Sequence, residues 1–132
     1  MAPFPLALTL AAALFAGAEP PAPTLWRNPS NTVHVRAAPC GNGGMCATVV
    51  WASEKAKADA RRGGTDPLIG TQLFQNFRIV RDGLWKGTVF VPDINQRFSG
   101  TVTVVDENTI VGKGCALLGT ICKSQTWTRV QP

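Results

Sequence analysis

From residue 32 onward the chain alternates apolar and polar side chains over short runs, the period-two pattern of strands with one buried face. Residues 32–36 set Val33 and Val35 against Thr32, His34 and Arg36, and residues 46–51 form a β-rich run ending on Trp51. Two further strand candidates, 69–74 and 77–81, lead to Asp82-Gly83, a two-residue hairpin signal, and then to 84–91, which Pro92 breaks. The cleanest alternation covers 97–105, with Phe98, Gly100, Val102 and Val104 on one face and Ser99, Thr101 and Thr103 on the other. Asp106-Glu107-Asn108 turns the chain into 109–115, and 122–130 completes the series. About eight strands joined mostly by short turns predict an all-β fold, a small antiparallel up-and-down barrel or a sandwich, and closure into a barrel leaves no exposed strand edge.

One segment breaks the pattern. Residues 53–62 read as a short helix, with Ser53 as a cap, Glu54, Lys55, Lys57, Asp59 and Arg61 mixing both signs over alanines, and Gly63-Gly64 as the stop. Without an apolar stripe, the expectation is a solvated excursion between strands.

The beginning of the chain has a different character. Residues 1–18 carry no charged side chain, run apolar from Leu6 to Phe15 and close on Ala16-Gly17-Ala18, the pattern of a cleaved secretory signal peptide. The apolar run is shorter than the roughly 20 residues a membrane-spanning helix needs, so no anchor is expected after cleavage. A proline-rich lead, 19–24, then precedes a single domain over 25–132. Export, to the periplasm or beyond the cell, makes the four cysteines readable as disulfides before metal ligands. Cys40 and Cys46 bracket a glycine-rich turn, and Cys115 and Cys122 bracket another connection. Local pairing, 40 with 46 and 115 with 122, is the expectation among three connectivities, although a crossed pairing would close longer loops and stabilise more. A four-cysteine zinc site is the competing reading, disfavoured by spacings wider than those of zinc knuckles.

Composition restricts function more than it assigns it. The single histidine, His34, lies mid-strand among polar face-mates, so no nucleophile–base pair can be assembled around it, and no enzyme is expected. The acidic residues fall mostly in turns, where local hydrogen bonding explains them. The formal charge of +5 suits contact with anionic surfaces. The one basic cluster, Lys55, Lys57, Arg61 and Arg62, has no interleaved aromatics, which argues against nucleic acid. No cofactor motif is present. Four tryptophans remain, Trp26, Trp51, Trp85 and Trp127, able to form core, plug a barrel end or line a cavity. On the last strand Lys123, Gln125, Trp127 and Arg129 share a face, placing Arg129 to stack on Trp127 or Trp26.

Trp26, Cys40 to Cys46 running into Val49-Val50-Trp51, Leu68-Ile69-Gly70, Trp85-Lys86-Gly87, Val91-Pro92, Gly114-Cys115 and above all Cys122-Lys-Ser-Gln-Thr-Trp-Thr-Arg129 together resemble an exported bacterial family, domain of unknown function 2147. The resemblance implies a lipocalin-like (calycin) barrel in which Trp26 packs against Arg129, with Trp127, across the closed end. It implies no activity. Two positions depart from the family pattern: no glycine stands two places before Trp26, and Phe98 occupies a position commonly taken by tyrosine. The resulting expectation is a monomeric binding module for a small apolar or amphipathic ligand, with Trp51, Trp85, Phe90 and Gln125 as candidate lining; the alternative is a side-chain-filled barrel that meets a cell-envelope component.

Overall fold

The computed structural model describes residues 22–131, so the expected signal peptide at 1–18 and the start of the proline-rich lead lie outside the described residues. Eight strands close into one barrel in chain order: β1 (Thr24–Arg27), β2 (Val33–Gly41), β3 (Gly44–Ala52), β4 (Gln72–Arg81), β5 (Leu84–Val91), β6 (Gln96–Asp106), β7 (Thr109–Ala116) and β8 (Ile121–Val130). Every neighbouring pair is antiparallel, and β1 meets β8 through Leu25↔Val130, Trp26↔Arg129 and Arg27↔Thr128. Of the two all-β architectures that the alternation allows, the barrel implied by the family resemblance is the one observed, and closure leaves the sheet no free edge.

Up-and-down order sorts the connections into two sets. The β1–β2, β3–β4, β5–β6 and β7–β8 connections lie at one end, and the β2–β3, β4–β5 and β6–β7 turns lie at the other with both chain termini of the barrel. The β2–β3 turn is very tight. Gly41, Asn42 and Gly43 all have positive φ (109°, 52° and 78°), a succession that glycine and asparagine tolerate and β-branched residues do not.

Two β-bulges explain where simple alternation fails. The register runs Val35↔Val49 and then His34↔Trp51, so Val50 is an extra residue in β3. Counting by twos from Ala47 and Val49 would put Trp51 inside; the bulge turns it outward, 44% exposed, with its ring 4.6 Å from that of His34. In β4, Asn76 has φ 53° and the register shifts between Gln75 and Arg78, so buried Phe74 and Phe77 lie three residues apart on one strand. The two strand candidates 69–74 and 77–81 are one continuous strand with its phase reset, and residues 69–71 belong to the preceding turn.

The helix α1 (Glu54–Gly63) fills the β3–β4 connection. Ser53 Oγ accepts from Ala56 N at 3.1 Å, and Gly64, with φ 105°, closes the last turn through Ala60 and Arg61 carbonyls. It is not the solvated excursion expected. Ala60 is fully buried and Ala56 packs against the core, a two-alanine contact stripe at i and i+4 that is too small to register as an apolar face in the sequence.

Candidate functional site

A cavity of about 790 Å³ occupies the interior toward the end that carries α1. Its size falls in the range of about 300–1,000 Å³ usual for small-molecule sites. Alternation builds its walls. β5 contributes Val89, directly opposite Phe98 of β6, and β4 contributes Leu73 and Phe74. β7 contributes glycine where a side chain would intrude: a Cβ on Gly112 would sit 3.0 Å from the Phe74 ring, and one on Gly114 would sit 3.7 Å from Val89. Those glycines face Gln125 and Lys123 across the β7–β8 ladder, and Ile110 faces Trp127. The inward column of β8 therefore descends from Lys123 near the mouth through Gln125 to Trp127, whose ring meets Phe74 edge-on at 5.6 Å.

The mouth is shaped by α1, which is fastened to two of the neighbouring turns. Ser53 N donates to Thr32 O at 2.8 Å, joining the helix start to the β1–β2 turn. At the other end Thr65 Oγ donates to Pro92 O at 2.8 Å, and Gly63 lies so close to the Asp93 backbone that any Cβ there would collide with it. Lys55, Ala56 and Asp59 of the helix thereby join the lining. Lys55 pairs with Asp59 at 2.8 Å and Arg62 also contacts that carboxylate; the Lys55 hydrogen bond, reinforced by both positive charges, holds the Asp59 carboxyl below its ordinary range. The β1–β2 turn is kept in shape by Asn28, whose Oδ1 accepts from Thr32 N at 2.8 Å and Val33 N at 3.0 Å.

Of the candidate lining residues, Phe90 and Gln125 border the cavity and two tryptophans do not. Trp51 is on the outer wall because of the Val50 bulge. Trp85 shares the inner face of β5 with Gly87 and Val89, but it sits next to the β4–β5 turn, at the far end, where it packs against the buried cluster. Phe90 is buried, with the Arg97 guanidinium 5.0 Å from its ring centroid. Trp26 and Trp127 are both buried, and Trp26 stands opposite Arg129. The cation–π contact among the described residues is that of Arg97 on Phe90; the one expected for Arg129 is not formed, Trp26 instead donating through Nε1 to Thr24 Oγ1 at 2.8 Å. Trp127 is also a cavity wall rather than only a closure residue.

The disulfides join Cys40 to Cys46 and Cys115 to Cys122. The second pair occupies directly opposed positions on β7 and β8, with Cα atoms 4.1 Å apart, on the outer face behind Gly114 and Lys123. His34 lies outside, its Nε2 2.7 Å from Asn31 Oδ1; partial burial, and then the nearby Arg27 charge, lower its pKa from the ordinary imidazole value.

The cavity-lining residues that sequence reasoning left out include Phe74, Val89, Phe98, the glycine pair of β7 and Lys123. Lys123 was legible, because it lies at even spacing from Trp127 on one strand face; the glycines were not, because an absent side chain has no periodicity to read.

An eight-stranded up-and-down barrel, one end filled and the other hollow, defines a lipocalin-like fold. A structural comparison gives the same class: the Helicobacter pylori protein HP1028, described as belonging to the lipocalin family, matches with a TM-score of 0.58 over 86% of this chain and 84% of that one, at 13% sequence identity. That likeness concerns the fold alone. The chain belongs to the family described as "Uncharacterized protein conserved in bacteria (DUF2147)", whose model matches residues 24–129. Comparison with curated proteins gave no match.

Proposed function

We propose that this protein is an exported binding module that holds a small apolar or amphipathic ligand inside the barrel. The observation that carries the reading is the cavity of about 790 Å³, walled by Phe74, Val89, Phe98 and Trp127 and reached past α1. A barrel evolved only as a solid spacer would fill that volume, since empty apolar space forfeits dispersion contacts. Two disulfides favour an oxidising compartment, which agrees with the leader read in the sequence and supports export. The reading contains no catalytic step. His34 stands on the outer wall, and among the described residues no three His, Cys, Asp or Glu side chains gather to hold a metal. Among those residues, too, no helix is long and apolar enough to cross a membrane.

Native mass spectrometry of the protein purified from its own periplasm tests the proposal. The expected result is a co-purifying small molecule that is lost from the Gly114→Leu variant, in which the new side chain projects into the cavity. Isolation of an empty chain from native sources, together with no uptake of added amphiphiles, would transfer the reading to an envelope interaction protein.

A further inference from the structure

Resting on the ligand-binding reading, we propose that the ligand is a single-chain amphiphile with one anionic headgroup, of carboxylate type. Its head is seated at Lys123 and its tail lies against Phe74, Val89 and Phe98. Three observations converge on this. Lys123 belongs to the inward column of β8, since it faces Gly114 while Gln125 faces Gly112 and Trp127 faces Ile110. Lys123 is solvent-exposed, so its ammonium stands where the cavity opens to water and is met by any anionic group that enters the mouth. None of the ion pairs among the described residues includes Lys123, whereas the neighbouring Lys55 is already paired with Asp59.

The second observation is space. The residue facing Lys123 is glycine, and a Cβ there would meet only ordinary contacts, so a volume lies open beside the ammonium group and above the aromatic walls. The third is the charge around the mouth. Lys55 and Lys123 border the cavity with Asp59 and Asp93, and Arg62 joins Lys55 on the Asp59 carboxylate. The excess is positive. Polarity then declines with depth: Gln125 stands one inward position below Lys123, about 7 Å down the strand, and the aromatic rings lie below it. A headgroup held by Lys123 reaches the Gln125 amide as a second donor, and an alkyl tail continues downward along apolar surface.

The experiment compares dodecanoate with dodecanol by calorimetric titration of the oxidised mature protein at mildly alkaline pH, where the carboxylate is ionised, in wild type, Lys123→Met and Lys123→Arg. The expected result is that wild type and Lys123→Arg prefer dodecanoate by about tenfold or more, the size of a charge-assisted contact. Lys123→Met should lose that preference and keep its affinity for dodecanol. Equal binding of acid and alcohol by wild type, or a preference that survives in Lys123→Met, would overturn the headgroup assignment and leave the cavity reading standing. Failure of wild type to bind either compound, with the fold intact by circular dichroism, would overturn the cavity reading and this inference with it.

Discussion

The two halves of the barrel interior are made from the same strands and the same inward alternation, yet one is solid and the other hollow. In the solid half Trp26, Val35, Val49, Phe77 and Trp85 interlock, and Val35 and Val49 are each only 1% exposed. There the glycine of the wall has no spare room: a Cβ on Gly87 would lie 2.7 Å from the Phe77 ring. In the hollow half Gly114 faces open volume, and its Cβ would make only van der Waals contact with Val89. The same residue type thus has two jobs. In one half it admits a neighbouring ring, and in the other it keeps a space clear.

Substitution of matched residues in the two halves is the strongest way to break this contrast. Phe77→Ala should destabilise by about 3–5 kcal/mol, the usual cost of a large buried aromatic with its cavity left behind. Phe98→Ala, whose ring already borders empty space, should cost about 1 kcal/mol and mainly weaken ligand binding. Denaturant midpoints of the two variants give the comparison, and equal losses would mean that the upper half is as tightly packed as the lower. The glycine pair repeats the test at smaller scale. Gly87→Ala should lose about 1–3 kcal/mol to overpacking, and Gly114→Ala should be neutral or slightly stabilising.

These contrasts also mark what sequence could and could not give. Alternation in 97–105 and the Asp82-Gly83 turn were enough for an antiparallel barrel or sandwich, because a period of two with short connections has few other solutions, and the family resemblance chose the barrel. The bulges at Val50 and Asn76 were invisible, since a single inserted residue leaves composition and local propensity unchanged while moving Trp51 to the other face. The mouth was hidden for a related reason. Its helix contacts the barrel through two alanines, and its ties to Thr32 and Pro92 depend on which turns share an end, a property of the closed barrel and not of any segment.

The two disulfides extend the comparison to the hairpins. Cys40–Cys46 spans the glycine-rich β2–β3 turn at the solid end, and Cys115–Cys122 spans the β7–β8 turn at the mouth, where Leu118 is fully exposed. Both loops are short, so replacing either pair by serines should cost about 2 kcal/mol. Only the second replacement should loosen ligand binding, because it frees the strand ends that carry Lys123. Equal effects on binding would detach the disulfide from the site.

The smallest effect lies outside the cavity and serves as a control for it. His34 is packed on Trp51 and near Arg27, so its folded pKa lies below the unfolded imidazole value of about 6.5. Between the two values the unfolded chain binds more proton than the folded one, and stability therefore falls as pH drops through that window. Above the unfolded value the contribution is complete; below the folded value no further loss arises from this group. The expected outcome is a shallow decline in thermal midpoint on acidification below about pH 6.5 that His34→Gln removes. Ligand affinity should not follow the same titration, since the imidazole is on the outer wall. An affinity that tracked His34 would mean that the outer face of β2 and β3 communicates with the cavity behind it.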